Sequence, residues 1–403
     1  MTAPDVVIIG GGVVGCAAGY ELAGAGARVT VIERDGIASH ASGFSFGGLY
    51  PTSGSGIPGP VQEPAKQALA LHRDLYPRLK AETGVDYELR QVQSISLARA
   101  ESGLAVLRKD CEWQRSHGFD AEMLSGRDVY RLEPSLAPGL AGGLLQRTHY
   151  ELDSYKFTLA LAQGIEKRGG KIVTAEAVSL TMSKGAVTGV RTRTGATISA
   201  GAVVMATGPW AGSPPDAGGV VSFDKLRMAG DKLRMAPSGK PRMARGGDLP
   251  LPALPVKPVK GEILRLRLPG NDFQHRVGLD GRNIARKPDG LVWVGTTEWE
   301  RGFDDRPSPE GRDFIMTGAL RYAPVLAGAE LVQQTACLRP LATDGLPIIG
   351  PLTASLGLYA ATAAGKKGVL LSLVMAKMTA ALALGGPPDH PVPAGLSTAR
   401  FGL

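Results

Sequence analysis

The segment from Asp5 to Glu33 constrains this chain more than any other. Asp5 to Ile9 is short and almost wholly apolar, as a central parallel strand buried on both faces must be. Gly10 to Gly15 turns the chain. Val14, Ala17, Ala18, Leu22 and Ala25 then follow helical spacing, and Arg28 to Ile32 returns as a β-branched run that ends in Glu33. The unit is βαβ, and its first turn reads Gly10-x-Gly12-x-x-Gly15. Gly10 permits the tight turn, Gly12 lets the backbone approach a pyrophosphate, and Gly15 lets the helix pack close to the sheet. Val13 and Val14 open the helix, whose N-terminus offers free N–H groups and a positive dipole end to phosphates. Glu33, at the end of the second strand, is placed to accept ribose hydroxyls and disfavours a 2′-phosphate. The unit therefore predicts a dinucleotide site, and the loop alone does not separate FAD from NAD.

With 403 residues, 43% hydrophobic and 20% charged, the chain has an ordinary globular balance and material for two domains. Cys16, Cys111 and Cys337 are widely spaced and odd in number, with no CxxC or zinc-like pattern. They predict no metal site and a reducing, cytoplasmic setting. No signal peptide is expected from the opening residues. The apolar stretch from Gly368 to Leu384 contains Ser372 and Lys377 and is short for a membrane span, so it predicts a buried helix. The net charge of +8 could suggest nucleic acid, but its location argues otherwise. Lys225, Arg227, Lys232, Arg234, Lys240, Arg242 and Arg245 are opposed there only by Asp224 and Asp231, which leaves the rest of the chain much closer to neutral. Asp224 to Ala229 recurs as Asp231 to Ala236, too few copies for a repeat fold, and Pro and Gly flank the segment. Residues 213–249 read as an inserted basic surface loop.

Phe157 to Arg168 predicts an amphipathic helix, closed by Gly169 and Gly170. Strands are expected at 171–174, 186–193 and 202–206, the last stopping at Thr207-Gly208-Pro209 as if returning to the nucleotide sheet. Further strands at 93–98, 261–268 and 291–297 are assigned to a second, mostly antiparallel domain.

Beyond the glycine loop and Glu33-Arg34, four blocks carry a resemblance. They are Ala41-Ser42 through Gly47-Gly48-Leu49, Ala206-Thr-Gly-Pro-Trp-Ala211, Pro258-Val-Lys-Gly-Glu262, and Leu338-Arg-Pro-Leu-Ala-Thr-Asp-Gly-Leu-Pro-Ile-Ile-Gly350. Together they resemble the D-amino-acid oxidase superfamily of flavoproteins, glycine oxidases and D-amino-acid dehydrogenases in particular, over nearly the whole chain apart from the insert. The resemblance implies a Rossmann-type α/β FAD-binding domain with a second α+β substrate domain. The expected boundaries are 1–50, 155–212 and 335–403 for the first and 51–154 with 250–334 for the second.

It implies FAD as cofactor, held by Gly10, Gly12, Val13, Val14 and Gly15, by Glu33 and Arg34 at the ribose, and by Ser42 with Gly47, Gly48 and Leu49 along the pyrophosphate and flavin. Val178 is expected at the adenine, Gly208 beside the glycine loop, and Gly365, Lys366, Lys367, Gly368 and Val369 over the pyrimidine edge. Negative charge that develops there on reduction would be met by a helix N-terminus and Lys366. Arg339 is expected to clamp a substrate carboxylate, with Lys366 as a second contact; pairing of Arg339 with Asp344 is the alternative. The implied reaction is oxidation of a small amino acid to its imino acid by hydride transfer from Cα, with oxygen or an electron-acceptor partner downstream, no nucleic acid and no transmembrane segment. A 2-hydroxy-acid oxidation and a flavin-carrying electron-transfer subunit stand as alternatives.

Two departures bear on the substrate. Ala363-Ala364-Gly365 stands where relatives often have Gly-His-Gly, and Asn283 stands near where a glycine oxidase has tyrosine. Cys337 stands seven residues before Asp344, the spacing of the flavin-tethering cysteine of monomeric sarcosine oxidases, yet a small buried hydrophobe reads equally well. Non-covalent FAD is the expectation. Trp293 falls near where those oxidases place a lysine, which makes a site of their kind less expected.

Overall fold

β1 (Asp5–Ile9) is wholly apolar at its four inner positions, and Val6 to Ile9 are all buried, so it can only be a central strand. A computed structural model describes residues 5–212, 248–270, 273–352, 356–387 and 389–403, and in it β1 lies between β2 (Arg28–Glu33) and the strand Ala202–Met205, parallel to both. The six-stranded sheet continues through Lys171–Thr174 on one side and Leu358–Thr362 on the other, and ends in the antiparallel strand Ile348–Pro351. Helix α1 (Val13–Gly24) covers one face together with the helices Gln62–Thr83, Ser154–Lys167 and Gly368–Leu384.

The last of these helices extends from a turn at Gly365–Lys367, and Gly365–Leu384 is long and apolar enough to cross a membrane by length and composition alone. Its side chains from Val369 to Met375 are nevertheless buried, and it packs on α1 and on Gln62–Thr83. As expected of a helix hydrophobic all round, it is a core helix of this domain.

The opposite face of the parallel sheet is covered by a small antiparallel sheet, ordered Thr197–Ser199, Ala186–Thr192, Ala177–Ser183, Asp248–Pro250. Asp248 and Leu249, expected within the insert loop, are thus strand residues paired with Thr181 and Leu180. Positions 213–247 lie outside the described residues.

A large, mostly antiparallel sheet forms the second layer system. Its long strands Val256–Arg267 and Glu330–Ala342 pair over their whole length, and the order then runs Val292–Gly295, Arg282–Arg286, Arg276–Leu279, Arg90–Ala98, Gly142–Glu151 and Gly48–Leu49. The helix Pro309–Leu320 backs it with Ile315 and Ala319 buried. The helix Gln62–Thr83, which the sequence reading placed with the substrate domain, packs instead on helices of the parallel sheet. Its apolar residues Ala65, Ala68, Leu69 and Leu79 fall on one face, and that face meets Gly368–Leu384 and Ser154–Lys167.

Candidate active site

A single elongated cleft of about 610 Å³ runs from the end of β2, past the glycine loop, to the face of the large sheet. At its first end the loop glycines do distinct work. Gly10 has φ +115°, and a Cβ there would overlap the Ala206 carbonyl; a Cβ on Gly15 would overlap the Gly10 carbonyl, so helix and loop touch backbone to backbone. Gly12 borders the cleft, where an added Cβ would meet only Ser42 Oγ, at 3.2 Å. Ser42 is held there because its hydroxyl accepts from Val13 N at 2.9 Å. Glu33 accepts from Gly11 N at 2.6 Å through one oxygen and from Asp35 N at 2.8 Å through the other, so its carboxylate is fixed facing the cleft. Beside it the Arg34 guanidinium lies 4.3 Å over the Trp210 ring, a cation–π contact that shapes the cleft's rim.

Of the residues expected to hold a cofactor, Gly10, Gly12, Val13, Val14, Glu33, Arg34, Ser42, Gly48, Gly208, Gly365, Lys366, Lys367, Gly368 and Val369 line this one cleft. Gly15 stands behind the loop, and Gly47 turns the chain at φ +71° against the Leu152 backbone. Leu49 is fully buried core. Val178 is not on the cleft wall: Ala175, Glu176 and Ala177 line it, because the strand that begins at Ala177 carries the next residue away.

At the other end Cys337, Arg339 and Leu341, alternate residues of Glu330–Ala342, face the cleft, and Pro340 borders it. On the neighbouring strand the same face carries Val259, Gly261 and Ile263. Arg339 lies flat over Gly261, since any Cβ there would overlap its guanidinium, and Nη1 donates to the Thr297 carbonyl at 3.0 Å. Arg339 makes no ion pair among the described residues. The alternative partner is taken: Asp344 binds Arg400 through two hydrogen bonds of 2.7 and 3.2 Å. One face of the Arg339 guanidinium is thus held by the protein while the group borders the cleft.

The two lysines after Gly365 divide in a way the sequence does not reveal. Lys366 is 60% exposed and pairs with Glu298 at the rim. Lys367 turns inward and donates from Nζ to the Tyr50 carbonyl at 2.5 Å. Burial, helped by the neighbouring Arg276 and Lys366 charges, pulls its pKa down to about 7. Tyr50 donates to Glu151 at 2.5 Å, and Glu151 also accepts from Lys287 at 2.6 Å. Burial works against the Glu151 charge, but Lys287 and the Tyr50 hydroxyl outweigh it and hold the carboxyl below its usual range. Burial and Glu151 push the Tyr50 phenol well up, so it stays protonated. His149, bound to Thr52 at 2.8 Å and Ser94 at 2.5 Å, is kept neutral by burial and by the Arg276 and Lys367 charges.

The residues present fit FAD. Two helices, α1 and Gly368–Leu384, aim N-termini without side-chain caps at the same cleft, one beside the glycine loop and one beside Lys367. Glu33 can receive a ribose, and the first N-terminus a pyrophosphate. The second can receive the electron-rich edge of a flavin. Among the described residues no cluster of His, Cys, Asp and Glu is arranged to hold a metal.

Comparison with known proteins points the same way. The family description "FAD dependent oxidoreductase" (DAO) matches residues 5–230 and 236–382. Glycine oxidase of Geobacillus kaustophilus is 29% identical over 370 residues, 91% of this chain and 89% of that protein. Glycine oxidase of Pseudomonas putida is 28% identical over 403 residues, 95% of each. The crystal structure of glycine oxidase from Geobacillus kaustophilus superposes with a TM-score of 0.84 at 28% identity, covering 99% of both chains.

Proposed function

The chain belongs to the DAO family of FAD-dependent oxidoreductases, and from that premise we propose that it oxidises the carbon–nitrogen bond of an α-amino acid whose carboxylate is held by Arg339. The observation that carries this reading is the cleft-facing Arg339 guanidinium, seated over Gly261 and without a carboxylate partner among the described residues. A planar guanidinium can grip a carboxylate through two parallel hydrogen bonds and so fix orientation as well as charge. The similarity to glycine oxidases over most of the chain supports an amino acid as the substrate.

FAD, when bound, supplies the acceptor for the hydride that leaves Cα. The protein's part is placement. Arg339 fixes one end of the substrate, and Val259, Ile263 and Leu341 present apolar side chains beside it. No side chain need act as a base, because an amine bound in its neutral form loses hydride directly and its nitrogen lone pair completes the C=N bond. The imino acid then takes up water. Lys367 and the N-terminus of Gly368–Leu384 bring positive charge to the edge of the cleft where reduction places negative charge. Lys366, bound to Glu298 at the rim, is an outer contact. Cleft lining by the nucleotide-end residues supports their assignment to FAD, with Ala177 and its neighbours in the place expected of Val178.

The test is an anaerobic titration of the purified flavoprotein with amino acids, hydroxy acids and amines that lack a carboxylate. Bleaching of the flavin by an α-amino acid, with none by the matching amine, is the expected result. Bleaching by 2-hydroxy acids alone would overturn the reading.

A further inference from the structure

Asn283 stands at the substrate end of the cleft but its side chain turns away from Arg339. A Cβ on Gly278 of the adjacent strand would come within 2.7 Å of Asn283 Oδ1, so the amide leans back over that glycine. What draws it there is Arg276, two residues earlier on the same strand, whose Nη2 donates to Asn283 Oδ1 at 2.5 Å. The Arg276 guanidinium lies 4.4 Å over the Tyr50 ring and borders the cleft. It makes no ion pair among the described residues, and its buried Nε has no hydrogen-bond partner. The nearby Glu151 is already committed to Lys287 and Tyr50. Beside Arg276, Lys367 also has no carboxylate partner among the described residues, and His149 nearby is neutral. Unpaired positive charge is costly to bury.

We infer that the substrate carries a second carboxylate, and that Arg276, steadied by Asn283 and the Tyr50 ring, receives it while Arg339 holds the first. This deepens the amino-acid reading and rests on it. The strand order supports the spacing. Arg339 lies over Gly261, and Arg276 meets Asn283 over Gly278; the strands of those two glycines are three steps apart in the sheet. Three steps are about 14 Å, which two guanidinium–carboxylate pairs and a chain of a few carbons between them fill. Between them Gly261, Gly278 and Gly295 carry no side chain, in register across the ladder with Cys337, Asn283 and Ile263, and the Phe46 ring borders the face at Gly295. The second acid can sit on the side chain, as in glutamate, or on a nitrogen substituent, as in N-carboxymethylglycine. Both present the same chemistry to Arg276.

The experiment uses the FAD-loaded protein and reads binding from the perturbation of flavin absorbance by acids that cannot be oxidised. Glutarate should bind at least roughly tenfold more tightly than butyrate or than monomethyl glutarate, as expected for a desolvated charge pair. In Arg276→Met, checked for flavin content, that preference should fall to near one; Arg276→Lys should keep part of it. Anaerobic reduction by D-glutamate against iminodiacetate then separates the two sources of the second acid. A wild type that binds glutarate no better than butyrate and its ester overturns the inference while leaving the amino-acid reading intact, and so does a preference that survives in Arg276→Met. Should no carboxylate perturb the flavin and no amino acid bleach it, the amino-acid reading itself falls. The ester comparison needs no variant, so misfolding of Arg276→Met would leave the test standing.

Discussion

The two ends of the cleft are built by opposite means. At the nucleotide end, backbone does most of the work: Gly10, Gly12 and Gly15 act by what they lack, and the Glu33 carboxylate is pinned by Gly11 and Asp35 amides close in sequence. At the substrate end side chains do the work, and Arg339, Arg276, Lys367 and Tyr50 arrive from four separate segments. A binding surface shared by all members of a fold can be made of main chain, whereas one that selects a substrate has to be made of side chains.

Breaking the first end should therefore be the most damaging change. Gly15→Val drives a Cβ into the Gly10 carbonyl and adds two methyl groups where helix and loop already touch. A cost of more than about 4 kcal/mol is expected, visible as loss of bound flavin and a collapse of the thermal transition. Retention of flavin would mean that the loop has slack which the close contact denies.

Breaking the second end should spare the flavin. Arg339→Ala is expected to lower kcat/KM by about 2–5 kcal/mol in transition-state terms with flavin content unchanged. Arg339→Lys, which keeps charge but loses the fork, should fall between. Gly261→Ala sharpens the comparison, since its methyl group would occupy the place of the guanidinium. It should cost nearly as much as Arg339→Ala, and in the Arg339→Ala background it should cost little more, because both changes act on one interaction. Independent, additive losses would show that Gly261 matters for another reason.

The contrast also explains what could be read from sequence. The βαβ unit, most of the helix Ser154–Lys167 and the second half of Val256–Arg267 announced themselves through local periodicity, and the cleft position of Arg339 through its block at 338–350, whereas Glu330–Ala342 was not read as a strand. Arg276 had no local signal: its meaning comes from Asn283 across a hairpin and Tyr50 on a segment more than two hundred residues away. Neither did the difference between Lys366 and Lys367, which depends on which way one turn faces. Val178 was expected at the adenine, and the residues on the cleft wall are its neighbours Ala175, Glu176 and Ala177; in a strand one residue is the difference between facing a cleft and leaving it. The pairing of Asp344 with Arg400 joins the family block to the C-terminal turn, a contact that no spacing reveals.

A milder change concerns Lys367. Its folded pKa of about 7 lies below the ordinary value of 10.5. From about pH 7 to 10.5 the unfolded chain therefore holds a proton at this lysine that the folded chain has given up. Its contribution to stability rises with pH across that window and is lost as pH falls through 7. Ligand binding runs the other way, because only the protonated lysine attracts an anion. Affinity for a monocarboxylate should decline by a few-fold as pH rises through 7, the size expected for a partly screened charge nearby. In Lys367→Met the profile should be flat over the same range. An unaltered profile in that variant would assign the titration to another group.

The smallest effect is expected at Cys337, even though it borders the cleft beside Arg339. A tether to flavin requires a thiolate, or a thiol that readily becomes one. Burial pushes the Cys337 thiol up, and the Arg339 charge two residues away only partly opposes it. The sulfur therefore stays protonated at neutral pH and behaves as a small apolar side chain in the strand paired with Gly261. Acid precipitation of the purified protein should release essentially all the flavin to the supernatant, and Cys337→Ala should leave flavin content unchanged, with a stability loss of about 1 kcal/mol for the buried sulfur. Colour that stays with the pellet in the wild type and moves to the supernatant in Cys337→Ala would show a covalent link. The substrate end would then retain the cofactor by a bond of its own, and loss of contacts at the nucleotide end would no longer suffice to release it.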